Sequence, residues 1–366
     1  MKMNEINIGK NITKFRRNKG ITQDELANYI GVSKSSVSKW ENNITYPDIL
    51  LLPQLATLFN VSLDELMGYE PQLTKDDIKK IYYSLADEFT EKSPDEVLEK
   101  CEKYIKKYYS CFEFLKRMVV LYLNHHMLFE NKEEILDKAR DLCIRIKEES
   151  NDPKLIKEIV SLEALSLAMA NKPVEILELL GEDIESYSQD AELIGLSFQL
   201  LGNVDKADEV AQICMYQHLI GLVGNAVQRI VLNTNDLKVV EETFKKSFEI
   251  CKVFDLDELH SNIAVNLYLS TAQAYMVHGQ KEKALDLIER YTKVCLKSIY
   301  NFKLKGNEYF DKIEAWFKDL DLGVNPPRSQ KLIKQSVVSA LKDNPVFASL
   351  KEEYRFKSCL LALESE

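Results

Sequence analysis

The side chains whose spacing could do chemistry in this sequence are amides rather than nucleophiles. Asn262, Asn266 and Gln273 are four and seven residues apart, so on a helix they share one face. Asn225, Arg229 and Asn233 recur every four residues and do the same. An amide both donates and accepts, which suits the unpaired N–H and C=O groups of an extended ligand. Buried without partners, each would cost on the order of 1–3 kcal/mol, so they need a ligand or a network with neighbouring helices and water. Spacing alone leaves both readings open. Tyr268, Tyr275 and Met276, interleaved with them, fit a helical core better than an aromatic ligand box. Residues 70–366 contain no phosphate-binding glycine loop, nucleophile elbow or zinc-protease signature, so an enzyme is not expected. The seven cysteines, at 101, 111, 143, 214, 251, 295 and 359, include no Cys-x-x-Cys pair and read as reduced core thiols. His125 and His126 would point about 100° apart on a helix and cannot share one metal. No metal and no cofactor are expected.

The elements that hold these side chains must be helices. Twelve glycines and nine prolines make about 6% of 366 residues, against roughly 12% in average usage. So few breakers exclude collagen-like, linker-like and turn-rich all-β chains, and 45% hydrophobic content excludes chain-wide disorder. The net charge of −10 argues against a chain that coats nucleic acid along its length. The charge is uneven, however. Residues 1–69 hold eight basic and seven acidic residues, while the remainder holds 40 and 51. Such asymmetry suggests a nucleic-acid module joined to an acidic body. The run Met67-Gly68-Tyr69-Glu70-Pro71-Gln72 supplies a helix stop and a turn, which places the domain boundary between 1–69 and 70–366. Val210 to Gln228 and Leu259 to Gln280 lack charged residues, yet their Gln, Asn, His and Ser make them too polar for a membrane span. The first twenty residues lack an apolar signal core. A soluble, cytoplasmic protein with no membrane partner is expected.

Beyond Thr74 the pattern is helical almost to the end. Breaks near Ser93, Asn131, Asn171, Gly202, Asn235 and Gly279 recur at an average of about 37 residues. That period predicts stacked helix pairs, since one pair cannot bury its apolar face alone. The clearest unit is Ala272-x2-Tyr275-x3-Gly279-x4-Ala284-x6-Tyr291, with small residues where two helices approach and glycine at the turn. It resembles a tetratricopeptide (TPR) repeat. Gly195, Phe198, Gly202 and Ala207 repeat the spacing upstream. Residues after Pro326-Pro327 are expected to form terminal helices that cap the stack or pair with another chain.

Residues 20–41 read GITQDELANYIGVSKSSVSKWE. Thr22 and Glu25 make a capping box, and Leu26, Ala27 and Ile30 give the helix they open an apolar face. Gly31 stops that helix in a left-handed turn, Val32 packs inward, and Ser33 caps a second helix buried through Val37 and Trp40. Two short helices joined by such a turn constitute a helix-turn-helix. Over residues 5 to about 67 the sequence closely resembles the phage-repressor type, the Xre/Cro-like family. The pattern appears in Thr22-Gln23, Leu26-Ala27, Gly31-Val32-Ser33, Val37-Ser38 and Trp40-Glu41. It continues in Pro47, Leu55-Ala56, Leu58 and Val61-Ser62-Leu63-Asp64-Glu65-Leu66. Asn43 stands where the family has glycine, a change asparagine can absorb because it tolerates positive φ.

The resemblance implies an all-α protein: a five-helix λ-repressor-like domain (helices near 5–18, 22–30, 33–41, 48–59 and 62–67) followed by a TPR-like α-solenoid. It implies that the third helix lies in the major groove of double-stranded DNA, with Lys34, Ser35 and Lys39 facing the bases and Ser33 and Ser38 close by. Gln23 at the head of the second helix suits a phosphate, as do Arg17 and Lys14, with Lys10 beside them. Arg16 and Glu41 occupy the positions of a structural ion pair. A homodimer on a palindromic operator follows. Joining such a domain to a TPR-like body also resembles bacterial regulators that bind a signalling peptide through asparagines. That makes Asn262, Asn266, Gln273, Asn225 and Arg229 the candidate groove for a peptide or small-molecule effector. Two alternatives remain: a TPR-like protein-interaction scaffold, and an antitoxin-like regulator of a partner enzyme.

Overall fold

The computed structural model describes residues 8–69, 72–184 and 188–365, and all regular structure among them is helical. The expected helix start at residue 5 and the Glu70-Pro71 turn lie outside the described residues. Contacts divide the chain into two compact units, residues 1–74 with 103–115 and residues 75–102 with 116–366.

The first unit opens with α1 (Ile8–Asn18), α2 (Gln23–Ile30), α3 (Lys34–Glu41), α4 (Leu52–Phe59) and α5 (Leu63–Met67). Ile12, Leu26, Val37, Leu55 and Leu66 are fully buried and form its centre, with Ala27 and Trp40 beside them. The fourth helix, expected from residue 48, begins instead as a 3-10 turn at Ile49–Leu51. Asp48 accepts from the Leu50 N–H (2.9 Å), and Pro53 has no N–H with which to continue an α pattern backwards.

The chain continues through α6 (Lys75–Glu88), α7 (Pro94–Lys107), α8 (Phe112–His125), α9 (Lys132–Glu149), α10 (Pro153–Met169), α11 (Pro173–Leu180) and α12 (Asp190–Leu200). After these come α13 (Val204–Leu232), α14 (Leu237–Val253), α15 (Leu256–Leu259), α16 (Ser261–Val277), α17 (Lys281–Val294), α18 (Glu314–Asp319), α19 (Gln330–Lys342) and α20 (Tyr354–Glu364). Each of the six breaks read from the sequence falls between helices. Asn171, Gly202 and Gly279 turn the chain with φ of 56°, 76° and 67°.

Short connections make hairpins of α9 with α10, α12 with α13 and α16 with α17, the helix pairs of a TPR-like body. In the last of these Ala272 and Ala284 are fully buried at the crossing, and Tyr275 and Tyr291 are almost so. In α12, Gly195 stands where any Cβ would come within 3.3 Å of Val210 in α13. The terminal helices cap this stack within the same chain. Tyr291 donates to the Val337 carbonyl of α19 (3.1 Å), and Arg355 of α20 grips Glu282, Asp286 and Glu289 along α17.

The stack is not strictly one-dimensional. Tyr82 and Tyr83 of α6 donate to the carbonyls of Pro327 (2.9 Å) and Leu322 (2.8 Å), so the first helix of this unit is tied to a segment some 240 residues away. From α8, the buried cations Lys116 and Arg117 both pair with Asp321 in that segment, and Lys116 also reaches Glu158. All seven cysteines are buried and unpaired, and burial pushes the thiols of Cys101, Cys143, Cys251 and Cys295 up to about 12. His125 is likewise core: stacked on Phe89 at 4.5 Å, it is pushed down to about 4 by burial. Among the described residues no group of His, Cys, Asp and Glu could hold a metal, and no helix is long and apolar enough to cross a membrane.

Burial alone would push the Asp321 carboxyl up, but the Arg117 and Lys116 cations together hold it below its ordinary value. Asp321→Ala would strand Arg117, whose side chain is only 6% exposed. Removing one partner from a buried cation costs about 3–5 kcal/mol, and because the carboxylate itself is half exposed the low end applies. The expected outcome is a clearly lower melting temperature with faster hydrogen exchange in α6 and α8. An unchanged melt would show that the tie to residues 318–331 contributes little.

Candidate nucleic-acid interface

The reading unit begins with two caps. Thr22 accepts from the Glu25 N–H (3.2 Å), and Glu25 in return accepts from the Thr22 N–H (2.7 Å), closing the capping box at the head of α2. Bonds from the Thr22 N–H and hydroxyl hold the Glu25 carboxyl below its ordinary value. At the other end Gly31 takes φ 79°, and its N–H returns to the Ala27 carbonyl at 2.9 Å. A side chain at that φ would be strained, so glycine sets the angle at which α3 departs. Ser33 then caps α3 by accepting from the Ser36 N–H (3.2 Å).

Within α3 the helical period separates two faces. Val37 and Trp40 are buried against the core, with Ala27 small enough to let α2 approach. Lys34, Ser35, Ser38 and Lys39 lie within about 140° on the other side, and of these Lys34, Ser35 and Lys39 are exposed and Ser38 half-buried. Ser33 is differently placed, since its hydroxyl serves the cap and also meets the Ser36 hydroxyl at 2.9 Å. Lys34 pairs with Asp24 of α2 at 2.5 Å, both well exposed. In water such a pair is worth little, so a base or phosphate can displace the aspartate.

Behind the reading face, Glu41 joins three helices. Arg16 of α1 donates from Nε to Glu41 Oε1 (2.5 Å) and from Nη2 to Oε2 (3.0 Å), while its Nη1 donates to the Ile21 carbonyl (2.8 Å). Gln23 at the head of α2 donates to the same Oε2 at 2.9 Å. The Arg16 and Glu41 side chains are only 12% and 7% exposed. Burial pushes the Glu41 carboxyl up, but the bonds from Arg16 and Gln23, with the Arg16 and Arg17 charges, outweigh it and hold Glu41 below its ordinary value. The bond to Glu41 raises the Arg16 guanidinium in turn.

These residues floor a cleft of about 430 Å³ lined by Lys10, Arg16, Arg17, Gln23, Glu41 and Asn42. Lys10 and Arg17 therefore meet around the head of α2, where backbone N–H groups favour an anion. Lys14 is not among the lining residues; its ammonium stands over the Phe15 ring, 5.6 Å from the centroid. Asn42, Asp24 and Gly9 went unread in the sequence. Asn42 is recognisable only as a cap after the fact, donating to the Ser38 carbonyl at 2.8 Å. Gly9 was a glycine inside a helical pattern. A Cβ there would overlap the Trp40 carbonyl and the Asn43 side chain, so α1 packs directly on the end of α3. Asn43 itself takes φ 58°.

Residues 12–66 match a family model described as helix-turn-helix. This segment is a helix-turn-helix domain. Over 77 residues the chain is 34% identical to the HTH-type transcriptional activator BcrR of Enterococcus faecalis, covering 19% of this chain and 38% of that protein. It is 35% identical over 66 residues to Antitoxin PezA of Streptococcus pneumoniae, covering 18% and 42%. The chain thus spans about two-fifths of the length of these relatives. A solved structure of Bacillus thuringiensis PlcR in complex with the peptide PapR7 and DNA aligns over 99% of this chain and 100% of that one, at 14% identity and a TM-score of 0.22.

The amide ladder of the second unit is largely exposed. Asn262 and Asn266 are exposed on α16 and Gln273 is half-buried, while Ala264, Leu267, Tyr268 and Thr271 cover the buried side. None of the three side chains makes a hydrogen bond among the described residues. The premise of buried amides therefore does not hold for Asn262 and Asn266, which are exposed. Asn225 and Arg229 are exposed on α13, and Asn233 caps that helix by donating to the Arg229 carbonyl (2.8 Å).

Glu41→Ala would leave Arg16 without its carboxylate in a largely buried site, a loss of about 3–5 kcal/mol. Hydrogen exchange across α1, α2 and α3 should then accelerate by two orders of magnitude or more, with the second unit unaffected. Because the folded carboxyl titrates below its ordinary value of about 4.3, its contribution is complete above that pH and is lost as pH falls through the depressed value. Glu41→Gln should flatten this acid limb in the first unit. Identical exchange and acid limbs in wild type and variant would reduce the pair to a surface contact.

Proposed function

We propose that this protein is a sequence-specific DNA-binding transcriptional regulator that acts as a homodimer, is not an enzyme, and works in the cytoplasm. The observation that carries the reading is the division of α3. One side is locked by Val37, Trp40 and the Glu41 junction, and the other presents Lys34, Ser35, Ser38 and Lys39 outward. In the major groove lysine donates to guanine O6 and N7, and serine serves several base edges. Lys10, Arg17 and the head of α2 hold a phosphate alongside, which sets the register without reading sequence. Lys14 extends the backbone contacts, and Gln23 acts through Glu41 as well as at the phosphate. Two copies double these contacts on a palindromic operator with half-sites about one helical turn, roughly 34 Å, or a multiple apart.

The helical body supplies regulation. Exposed amides at Asn262 and Asn266 and the half-buried Gln273, with Asn225 and Arg229 on the neighbouring α13, suit the backbone of an extended peptide or a small polar effector. A ligand there alters transcription only if it prefers one arrangement of the DNA-reading heads. The likeness to Antitoxin PezA favours one second reading, in which the same domain governs expression while the body restrains a partner enzyme. A stoichiometric enzyme co-purifying with the full chain would distinguish it.

Lys34→Ala or Lys39→Ala should cost roughly 1–3 kcal/mol at the base contacted and relax preference there. Arg17→Ala should weaken binding to all sequences alike and lower the salt slope by about one. A footprint unchanged by replacing both lysines would remove the reading face. Asn262→Ala and Asn266→Ala, both at exposed positions, should shift stability by no more than about 0.5 kcal/mol. They should also abolish any change in DNA affinity that a peptide screen finds for the wild type. A severe loss of melting temperature would make these amides structural.

A further inference from the structure

Two consecutive helices of the second unit, α11 and α12, contain no buried residue, although both are rich in leucine and isoleucine. On α12, Ala191, Gly195 and Phe198 turn towards α13 and are half-buried. On the opposite side Leu193, Leu196 and Leu200 are 57%, 48% and 79% exposed. Their spacing of three and four residues places them within about 60° of one another, a stripe roughly 10 Å long. α11 repeats the feature with Val174, Leu177 and Leu180, all exposed. A helix apolar on two sides is normally covered on both, and exposed apolar stripes of this kind on successive helices mark a binding site.

The charge around the stripe says what covers it. From Pro173 through Asp205 there are eight acidic residues and no lysine or arginine. Glu178, Glu182, Asp183 and Asp190 are exposed and make no ion pair among the described residues. A second copy of the same face would bring two acidic strips together, which like-charge repulsion disfavours. A basic partner reverses the sign of that interaction. We propose that α11 and α12 form a docking face for a cationic amphipathic helix of another protein, whose apolar residues at i, i+3 and i+7 seat on Leu193, Leu196 and Leu200 while its lysines and arginines meet the unpaired carboxylates. This goes beyond the DNA-binding reading and does not rest on it.

The test titrates the full chain with two labelled 14-residue peptides of equal apolar content, one of leucine and lysine, LKKLLKLLKKLLKL, the other with glutamate in place of every lysine. Fluorescence anisotropy should show the lysine peptide binding saturably, one per chain, and more weakly as salt rises, with no binding of the glutamate peptide. Leu196→Ser with Leu200→Ser should weaken the lysine peptide at least tenfold. Glu178→Lys with Glu182→Lys, both fully solvated changes that do not threaten folding, should do the same. Glu352→Lys with Glu353→Lys, exposed and remote in sequence, should stay within twofold of wild type. Equal binding of both peptides, or equal weakening by the Glu352 and Glu353 control, would overturn the proposal. So would sedimentation of the wild type as a dimer that the two leucine substitutions split, since the face would then belong to a second copy.

Discussion

The Glu41 carboxylate is the constraint on which the reading head depends. It lies at the end of α3, yet it is held by Arg16 from α1 and Gln23 from α2. One side chain thereby fixes the mutual orientation of the three helices that hold the outward face of α3. A bidentate guanidinium–carboxylate pair has strict planar geometry, and a bond from a third group leaves it little freedom to swing. The outward serines and lysines of α3 inherit that rigidity. They need no contacts of their own, and apart from Lys34 with Asp24 the long side chains among them are free to meet a ligand. The cleft beside Glu41 follows from the same arrangement, because Arg17 and Lys10 flank the residue that Arg16 neutralises.

The second unit uses a different device. Helix hairpins stacked in order would interact only with their neighbours, and such an array opens easily at its ends. Here the segment from Lys318 to Lys331 returns to α6 and α8, where Tyr82, Tyr83, Lys116 and Arg117 receive it. Both ends of the array are thus secured, the other by α19 and α20 on α17. Against this closure α11 and α12 stand out as two consecutive leucine-rich helices with no buried residue.

What could be read in the sequence was local. Thr22 with Glu25, Gly31 and Ser33 announce their roles through caps and a left-handed turn, each settled within three or four residues. The crossing of α16 and α17 was visible because Ala272, Gly279 and Ala284 follow a known spacing. The long-range ties left no such trace. Arg16 and Glu41 are 25 residues apart on no common period, so only resemblance links them. Lys34 with Asp24, Gly9 against Trp40, and α6 with the distant 318–331 segment carry no periodic signal. Exposure was also illegible: a ladder of amides has the same spacing whether buried or solvated, and a leucine-rich helix such as α12 reads as core whether or not anything covers it.

The central claim is that α3 reads a sequence in DNA, and the most direct measurement is a selection from sheared genomic DNA by the purified full chain, followed by sequencing of the bound fragments. The account predicts that one inverted repeat is enriched at physiological salt, with half-site centres about one helical turn or a multiple apart. Recovery of fragments in proportion to their abundance, with no sequence enriched, would contradict it.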